Sequence, residues 1–216
     1  MLERVRTHLA FKATLTVVLV LAVSVPFFLL EYFPLLRARA LAETALDRWI
    51  EFDDRWVWVY VSLYAYMPTI PLLLVERAHL RRYALGMLTI AATAFAVFLL
   101  YPTEVPRPPV EGTQLVYRWL VGVDRPSNAV PSLHCAFALF TALIAKTALC
   151  DWRPAPHWRI AVWVWCGLIC ISTLAIKQHL LLDAFTGCAL GLAVYSLAWR
   201  NAFTNAPRLH LIREPL

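Results

Sequence analysis

The stretch Pro131-Ser-Leu-His-Cys-Ala-Phe-Ala-Leu-Phe140 places a proline, a serine and a histidine directly before a run of apolar residues. Proline and serine are favoured where a helix begins, and the apolar run that follows is typical of a buried helix. The segment therefore predicts a helix with Ser132 as its N-cap and His134 in its first turn. The amide hydrogens and partial positive charge at such a helix start are suited to holding a phosphate.

The composition around this stretch is that of a membrane protein. The 216 residues are 61% hydrophobic and only 16% charged, with a mean hydropathy of +0.62. Soluble domains are typically about 45–50% apolar. The net charge of +6 comes from basic residues scattered singly between apolar runs, which is typical of charges that orient a membrane protein. A nucleic-acid partner is therefore not expected.

Six apolar segments are each about 20 residues long, enough to cross a hydrocarbon core of roughly 30 Å. Backbone polar groups cannot stay unpaired in lipid, so each segment is predicted to be a helix. The predicted spans lie near residues 13–35, 56–75, 83–101, 130–149, 159–177 and 180–199. Pro26, Pro68 and Pro71 are expected to kink the first two helices without ending them. The predicted fold is all-α, a single polytopic domain over residues 1–216 with six transmembrane helices in a bundle.

The distribution of lysine and arginine predicts the orientation. With the N-terminus in the cytoplasm, the inner segments contain most of the basic residues and few acids, as the positive-inside rule requires. Both termini are then cytoplasmic, and the protein is predicted to lie in a bacterial-type inner (plasma) membrane. In this orientation Arg107, His134, His179 and Asp183 all reach the outer, periplasmic face.

Two features of the outer and N-terminal segments leave alternatives open. Residues 47–56 and 114–120 mix charges with aromatic side chains and are predicted to lie at the membrane surface. They either flank a lipid entrance or serve as ordinary anchoring belts. The first apolar segment follows basic residues and precedes Ala40-Leu-Ala42, which also resembles a cleavable signal peptide, although its apolar run is longer than a typical signal core.

The cysteines suggest no metal site or disulfide framework. All five lie within or at the edges of apolar segments: Cys135, Cys150, Cys166, Cys170 and Cys188. Cys166 and Cys170 are one helical turn apart, but cysteine commonly serves as a small apolar residue in a core. No metal ligand is therefore predicted among them.

His179 and Asp183 have the spacing of two residues on one face of a helix. A carboxylate in that position accepts the proton of one imidazole nitrogen and leaves the other nitrogen free to attack an electrophile. The alternative is a purely structural pair, but ionisable residues in a membrane span are costly and usually functional. The pair therefore predicts a histidine nucleophile and its orienting carboxylate.

Arg107 and Lys177 are the candidate cations near this pair. Arg107 lies between Pro106 and Pro108, which stiffen the backbone, and its guanidinium fork suits phosphate oxygens. Lys177 precedes His179 by two residues and either adds a second positive charge or extends to the membrane interface. His134 at a helix start either protonates a departing alkoxide or is an ordinary solvated residue.

Taken together, these residues resemble the type 2 phosphatidic acid phosphatase superfamily of six-helix lipid phosphate phosphatases. The family patterns are K-x6-R-P, P-S-G-H and S-R-x5-H-x3-D. Arg107-Pro108 matches the end of the first pattern, and Pro131-Ser132 with His134 matches the second. Ser172, His179 and Asp183 match the third. The motif resemblance covers roughly residues 100–190.

Three positions depart from the family patterns. Leu100 stands in place of the first lysine, Leu133 in place of the glycine and Thr173 in place of the third-motif arginine. Two phosphate-binding cations are thus missing, and Lys177 is the residue that could compensate for one. The P-S-L-H form looks more like the branch that contains inositol phosphorylceramide synthases and similar headgroup transferases.

The resemblance implies a mechanism and a substrate class. His179 would attack phosphorus to form a phosphohistidine, Asp183 would orient it, and His134 would protonate the leaving oxygen. Arg107, Lys177 and Ser132 would bind the phosphate oxygens, without a metal or other cofactor. The expected partners are a phosphorylated lipid substrate and membrane lipids. Hydrolysis is the leading hypothesis, transfer to a lipid alcohol is the second, and a non-catalytic lipid scaffold or transporter is the third.

Overall fold

The computed structural model describes residues 2–107, 114–148 and 156–199, which fold mainly as helices. The helices are α1 (Leu2–Arg6), α2 (Leu9–Tyr32), α3 (Ala45–Trp49), α4 (Val57–Val61), α5 (Leu63–Leu73), α6 (Arg77–Leu100), α7 (Leu115–Val123), α8 (Leu133–Ala148), α9 (Pro156–Ala175) and α10 (Leu181–Val194). A 3-10 turn, Asp54–Trp56, precedes α4, and a π-helical turn, Tyr195–Trp199, follows α10. Strands β1 (Arg39–Ala40) and β2 (Thr103–Glu104) form one short parallel pair.

The predicted all-α membrane fold is confirmed in its helical content and in the apolar character of its helices. Among the described residues, four helical segments are long and apolar enough to cross a membrane: Leu9–Tyr32, Asp54–Leu73, Arg77–Leu100 and His157–Ala175. The remaining two predicted spans correspond to the shorter apolar segments Leu133–Lys146 and Leu181–Leu197. Six crossings therefore remain a prediction. Pro26 lies inside α2, and Pro68 and Pro71 lie inside α5, so none of them ends its helix.

Helix α8 lies at the centre of the bundle, where it packs against α5, α6, α9 and α10. Small and aromatic side chains along its length are buried, including Ala136, Phe140 and Ala142. Helix α2 lies at the periphery against α5 and α6, and its outward side chains such as Val17, Leu21 and Leu29 are about half exposed. An apolar exterior around a packed centre is what a lipid environment requires.

Two glycines allow α10 to approach α8 closely. A Cβ atom at Gly187 would lie 2.3 Å from the backbone oxygen of Ser132. At Gly191 it would lie 2.6 Å from the backbone oxygen of Ala136. Small residues at such positions let helix backbones meet in a membrane protein, where packing rather than the hydrophobic effect drives association. The first turn of α8 is thereby held directly against the first turns of α10.

Of the two predicted interfacial stretches, the first is partly helical and the second is helical from its second residue onward. Residues 47–56 contain the end of α3 and the 3-10 turn, and residues 114–120 begin α7. Helix α7 buries Tyr117 and Leu120 against α4 and exposes Leu115 and Trp119. This two-sided pattern fits a helix that lies along a surface rather than across it.

The close approach of α8 and α10 generates a stability prediction. Gly187→Ala should destabilise the protein by about 1–3 kcal/mol, because the added methyl group meets backbone that cannot yield without separating the helices. Gly167→Ala in α9 is the matched control, since nothing lies within 4 Å of its added Cβ. Thermal unfolding in detergent should show a lower midpoint for the first variant alone. Equal midpoints would contradict the packing described here.

Candidate active site

A cavity of about 540 Å³ connects the loops at one end of the bundle with the space between its helices. Its long walls are apolar and come from α2, α5 and α6, with residues such as Leu15, Phe28 and Met67. One end is polar and is lined by Tyr60, Arg107, Asp124, Ser127, Asn128, His134, Gln178 and His179. Three of the residues predicted from the sequence, Arg107, His134 and His179, therefore share one cavity.

His179 and Asp183 form the predicted pair. The distance between His179 Nδ1 and Asp183 Oδ2 is 2.7 Å, and Asp183 is fully buried. His179 lies in the turn before α10 rather than within the helix. Its hydrogen bond to Asp183 therefore joins this turn to the first turn of α10. With its Nδ1–H donated to the carboxylate, His179 keeps a lone pair on Nε2. That is the form required of a nucleophile.

The other atoms of Asp183 fix the turn and join it to α8. Its Oδ1 accepts a hydrogen bond of 2.7 Å from the Leu180 amide, which caps the N-terminus of α10. Its backbone oxygen accepts one of 3.0 Å from the Ser132 amide. The Gln178 and His179 amides both donate to Thr173 O at 3.1 Å. His179 is thus held by its side chain and by its backbone.

His134 is the second residue of α8, and its ring faces that of His179 across 6.0 Å between centroids. Tyr60 stacks on it, with ring centroids 4.0 Å apart and the hydroxyl oxygen 3.4 Å from Nδ1. His134 Nε2 is buried and has no hydrogen-bond partner among the described residues. Leaving such a group unpaired is costly, so its orientation indicates a role toward a ligand.

Arg107 is held from several sides. It donates to the backbone oxygen of Asp124, to that of Arg125 at 2.9 Å, and to Gln178 Oε1 at 2.5 Å. Its Nη2 also lies 4.0 Å from the Asp124 carboxylate. Pro106 is described but Pro108 lies outside the described residues, so the expected stiffening of the backbone by both prolines stays a prediction. These contacts fix the Arg107 guanidinium beside Gln178, the residue that precedes His179.

Unpaired polar atoms gather at this end of the cavity. Within the described residues, buried side-chain atoms without a protein partner include Arg107 Nε, Ser127 Oγ, Asn128 Nδ2, His134 Nε2 and Gln178 Nε2. All five residues line the cavity. Most of these atoms are hydrogen-bond donors, and unpaired donors in one cavity with a charged arginine suit an anion with several oxygens.

Among the residues that the structure describes, Asp124 is the one carboxylate that lines the cavity. Burial raises the pKa of Asp124, and the neighbouring Arg107 guanidinium opposes that rise. Behind it, Glu31 of α2 is buried and accepts a 2.5 Å hydrogen bond from the Arg125 amide. Glu31 therefore holds the 124–125 turn through the Arg125 amide, and the Asp124 carboxyl group lies beside the Arg107 guanidinium.

Lys177 and Ser132, which were predicted to bind substrate, are not brought to the cavity. Lys177 Nζ donates to the backbone oxygens of Asp47 and Ile50, at 2.6 and 2.5 Å. Its backbone is left-handed, with φ 55°, which turns the side chain toward α3. Ser132 is fully buried and its Oγ caps α8 by accepting from the Cys135 amide at 3.3 Å. The predicted N-cap is thus confirmed, and both residues make structural contacts.

Several residues around the site were not identified from the sequence. Gln178 directly precedes His179 and Asn128 lies three residues before Pro131, so a polar residue close to a motif was an available signal. Tyr60 lies inside an apolar run, so no signal in the sequence pointed to it. Asp47 was visible only as an interfacial charge, yet its Oδ1 accepts from the Leu181 amide at 2.8 Å. Although burial acts to raise it, hydrogen bonds from Thr44 and Leu181 hold the pKa of Asp47 below its usual value.

Comparison with known proteins adds one finding to this geometry. A sequence model of the PAP2 superfamily matches residues 27–197, which include every residue of the polar cavity end. In the same comparisons no curated protein and no solved structure matched the chain.

The contacts of Lys177 generate a prediction that separates a structural role from phosphate binding. Lys177→Met should lower stability by about 1–3 kcal/mol, because two carbonyls lose their charged donor. Its loss of turnover should be smaller than the roughly 10²–10³-fold expected when a transition-state donor is removed. Arg81→Met, a charge removed from an exposed position on α6, is the control. A loss of that larger size at unchanged thermal stability would instead make Lys177 a phosphate ligand.

Proposed function

The chain belongs to the PAP2 superfamily, and we propose that it is an integral membrane phosphatase that hydrolyses a lipid phosphate or diphosphate through a phosphohistidine intermediate. Membership of this superfamily suggests a phosphatase-type activity. The observation that carries the proposal is the gathering of unpaired donors around Arg107, His134 and the His179–Asp183 pair. A phosphoryl group bound there would contact the nucleophile His179, the acid His134 and the donors that bind the phosphoryl oxygens.

In the first step His179 Nε2 attacks phosphorus, and a P–N bond forms as the P–O bond to the leaving group breaks. The negative charge on the phosphoryl oxygens is met by Arg107, Gln178 and Asn128, which are already oriented. Asp183 stabilises the positive charge that develops on the His179 ring. Because arginine and neutral donors provide this neutralisation, the proposed reaction needs no metal.

His134 transfers the proton. In the protonated ring, Nδ1–H donates to the Tyr60 hydroxyl oxygen and Nε2–H is given to the leaving oxygen. The ring is then neutral with a lone pair on Nε2, so it can take a proton from water in the second step. Hydroxide attack on phosphorus breaks the P–N bond, releases phosphate and restores both histidines.

The apolar walls of the cavity support a lipid substrate. Cavity-lining residues of α2 extend from Phe28 near the polar end to Leu15. At 1.5 Å per residue this wall is roughly 20 Å long, enough to contact much of an extended acyl or isoprenoid chain. The partly exposed Trp119 of α7 borders the same cavity, which suits a lipid entrance beside an interfacial helix.

The membrane arrangement is part of the proposal. Helices α8 and α10 complete six crossings of an inner (plasma) membrane, with both termini cytoplasmic and the cavity open to the periplasmic face. The basic residues at the other end of the bundle support this orientation. There Lys12 Nζ donates to Arg4 O and Leu72 O, both at 2.7 Å, and Arg77 begins α6.

Transfer of the phosphoryl group or headgroup to a lipid alcohol is the second candidate, as in the headgroup-transferase branch that the P-S-L-H form resembles. The favouring observation is Leu133, which replaces the family glycine and lines the cavity directly before His134. An apolar side chain there disfavours water next to the phosphohistidine. It leaves room for an acceptor that arrives from the lipid side.

The central experiment is phosphate release from a panel of lipid phosphates and diphosphates by the purified full chain in mixed micelles. Release should persist in chelator and disappear in His179→Ala, because the nucleophile is lost. His157→Ala, an exposed histidine of α9, should leave the rate unchanged. If neither phosphate release nor transfer to added lipid alcohols is found, the enzymatic proposal fails and the non-catalytic scaffold replaces it.

The role of Leu133 predicts how products divide between water and alcohol. Leu133→Ala should raise the ratio of hydrolysis to transfer, because removing its side chain admits water beside His134. Leu139→Ala, on the same helix but away from the cavity lining, should leave the ratio unchanged. Both products are measured with one labelled lipid phosphate in the presence of a lipid alcohol. An unchanged ratio in both variants would remove Leu133 as the residue that excludes water.

A further inference from the structure

Three cysteine thiols meet beside the catalytic helices, although they are far apart in the sequence. The Sγ atoms of Cys135, Cys170 and Cys188 all lie within 4.8 Å of one another. They come from α8, α9 and α10 respectively. Cys135 is fully buried, whereas Cys170 and Cys188 are partly exposed. We refer to these three residues as the thiol cluster.

The dimensions of the thiol cluster are close to those of a metal–thiolate triangle. With metal–sulfur bonds of about 2.3 Å, three sulfurs around one ion lie roughly 4.0 Å apart. The sulfur atoms therefore need to move by less than about 1 Å to bind one ion, which side-chain rotation can supply. Thiolates are soft ligands and select soft cations over magnesium or calcium.

A hydroxyl group lies next to the cluster. Thr173 Oγ1 is 3.8 Å from Cys135 Sγ and also donates to Cys170 O at 2.8 Å. Its one hydroxyl hydrogen is donated to Cys170 O, so a Cys135 thiolate gains a hydrogen bond from Thr173 only if the hydroxyl rotates away from that carbonyl. Cys166, one turn from Cys170 on α9, is buried but is not part of the group. The cluster therefore differs from the Cys166–Cys170 spacing that the sequence displays.

We infer that the thiol cluster is a binding site for one thiophilic cation, separate from the phosphoryl-transfer cavity. Binding breaks three S–H bonds, forms three metal–sulfur bonds and releases three protons. A divalent ion leaves a net charge of −1 on the site and Cu⁺ leaves −2. Because thiolates are soft ligands, the site takes ions of the Zn²⁺, Cd²⁺ and Cu⁺ type rather than Mg²⁺ or Ca²⁺.

A cation bound at the thiol cluster would hold together the helices that carry the catalytic residues. Cys135 directly follows His134, and Cys188 lies five residues after Asp183, or roughly 7.5 Å along α10. One ion would thus tie α8 and α10 to α9 close to the level of the two histidines. This inference does not depend on the substrate or on the activity of the protein.

The test is a Cd²⁺ titration of the purified full chain, kept reduced with a phosphine, in detergent without added substrate. Thiolate-to-cadmium charge-transfer absorption should saturate at one ion per chain and be accompanied by a higher thermal unfolding midpoint. Zn²⁺ added alone should also raise the midpoint, and Cd²⁺, the softer ion, should displace it. Mg²⁺ at the same concentration should neither bind nor raise the unfolding midpoint, and an equal effect of Mg²⁺ would overturn the assignment to thiophilic ions.

Variants identify the ligands. Cys170→Ser and Cys188→Ser should each weaken Cd²⁺ binding by more than the roughly 10–100-fold typical of losing an outer partner of a metal ligand. Cys166→Ser should bind as the parent protein does. For a variant that does not fold, alkylation of the parent protein followed by peptide mapping should show Cys135, Cys170 and Cys188 protected by Cd²⁺. Absence of the absorption band, or its loss in Cys166→Ser alone, would overturn the site.

Discussion

The arrangement of the site depends on one buried carboxylate. Asp183 accepts from His179 through one oxygen and caps α10 through the other, while its backbone oxygen binds the Ser132 amide at the start of α8. Burying an isolated carboxylate in a membrane span costs free energy. These hydrogen bonds offset that cost for Asp183. The same bonds fix the imidazole tautomer, the helix start and the distance between the two histidine-bearing segments. The atoms of Asp183 that hold the two helix starts together therefore also orient the His179 ring.

The carboxylate can serve both helices only because they approach closely. Gly187 and Gly191 leave no side chain between α10 and α8, and the backbone oxygens of Ser132 and Ala136 occupy that space. On the other side, Asp47 caps the Leu181 amide while Lys177 binds backbone oxygens at α3. The turn that contains His179 is thus held between the bundle and helix α3. Rigid support of this kind is what a positioned nucleophile requires.

The cavity combines two environments that a phosphorylated lipid would need together. Its polar end gathers buried donors that lack protein partners, and its long walls are apolar. This chain lacks two of the cations in the family patterns. In their place, Gln178, Asn128 and Ser127 supply neutral hydrogen-bond donors around Arg107. Neutral donors bind an anion at a lower electrostatic cost when the site is unoccupied than extra buried cations would. The proposed transfer reaction is the variant of this chemistry in which Leu133 keeps water out.

The sequence by itself determined the helices, because apolar runs of about 20 residues in a chain this hydrophobic have few other structures available. It also determined the His179–Asp183 contact, which spans four residues and so is encoded locally. It also made Arg107 and His134 candidates, through the prolines around Arg107 and the helix start at His134, and membership of the PAP2 superfamily agrees with the motif resemblance. Only the tertiary structure decided that Gln178 binds Arg107, that Tyr60 stacks on His134 and that Lys177 turns toward α3. These contacts join residues up to 130 positions apart, and they depend on how helices pack rather than on the spacing of residues within one helix.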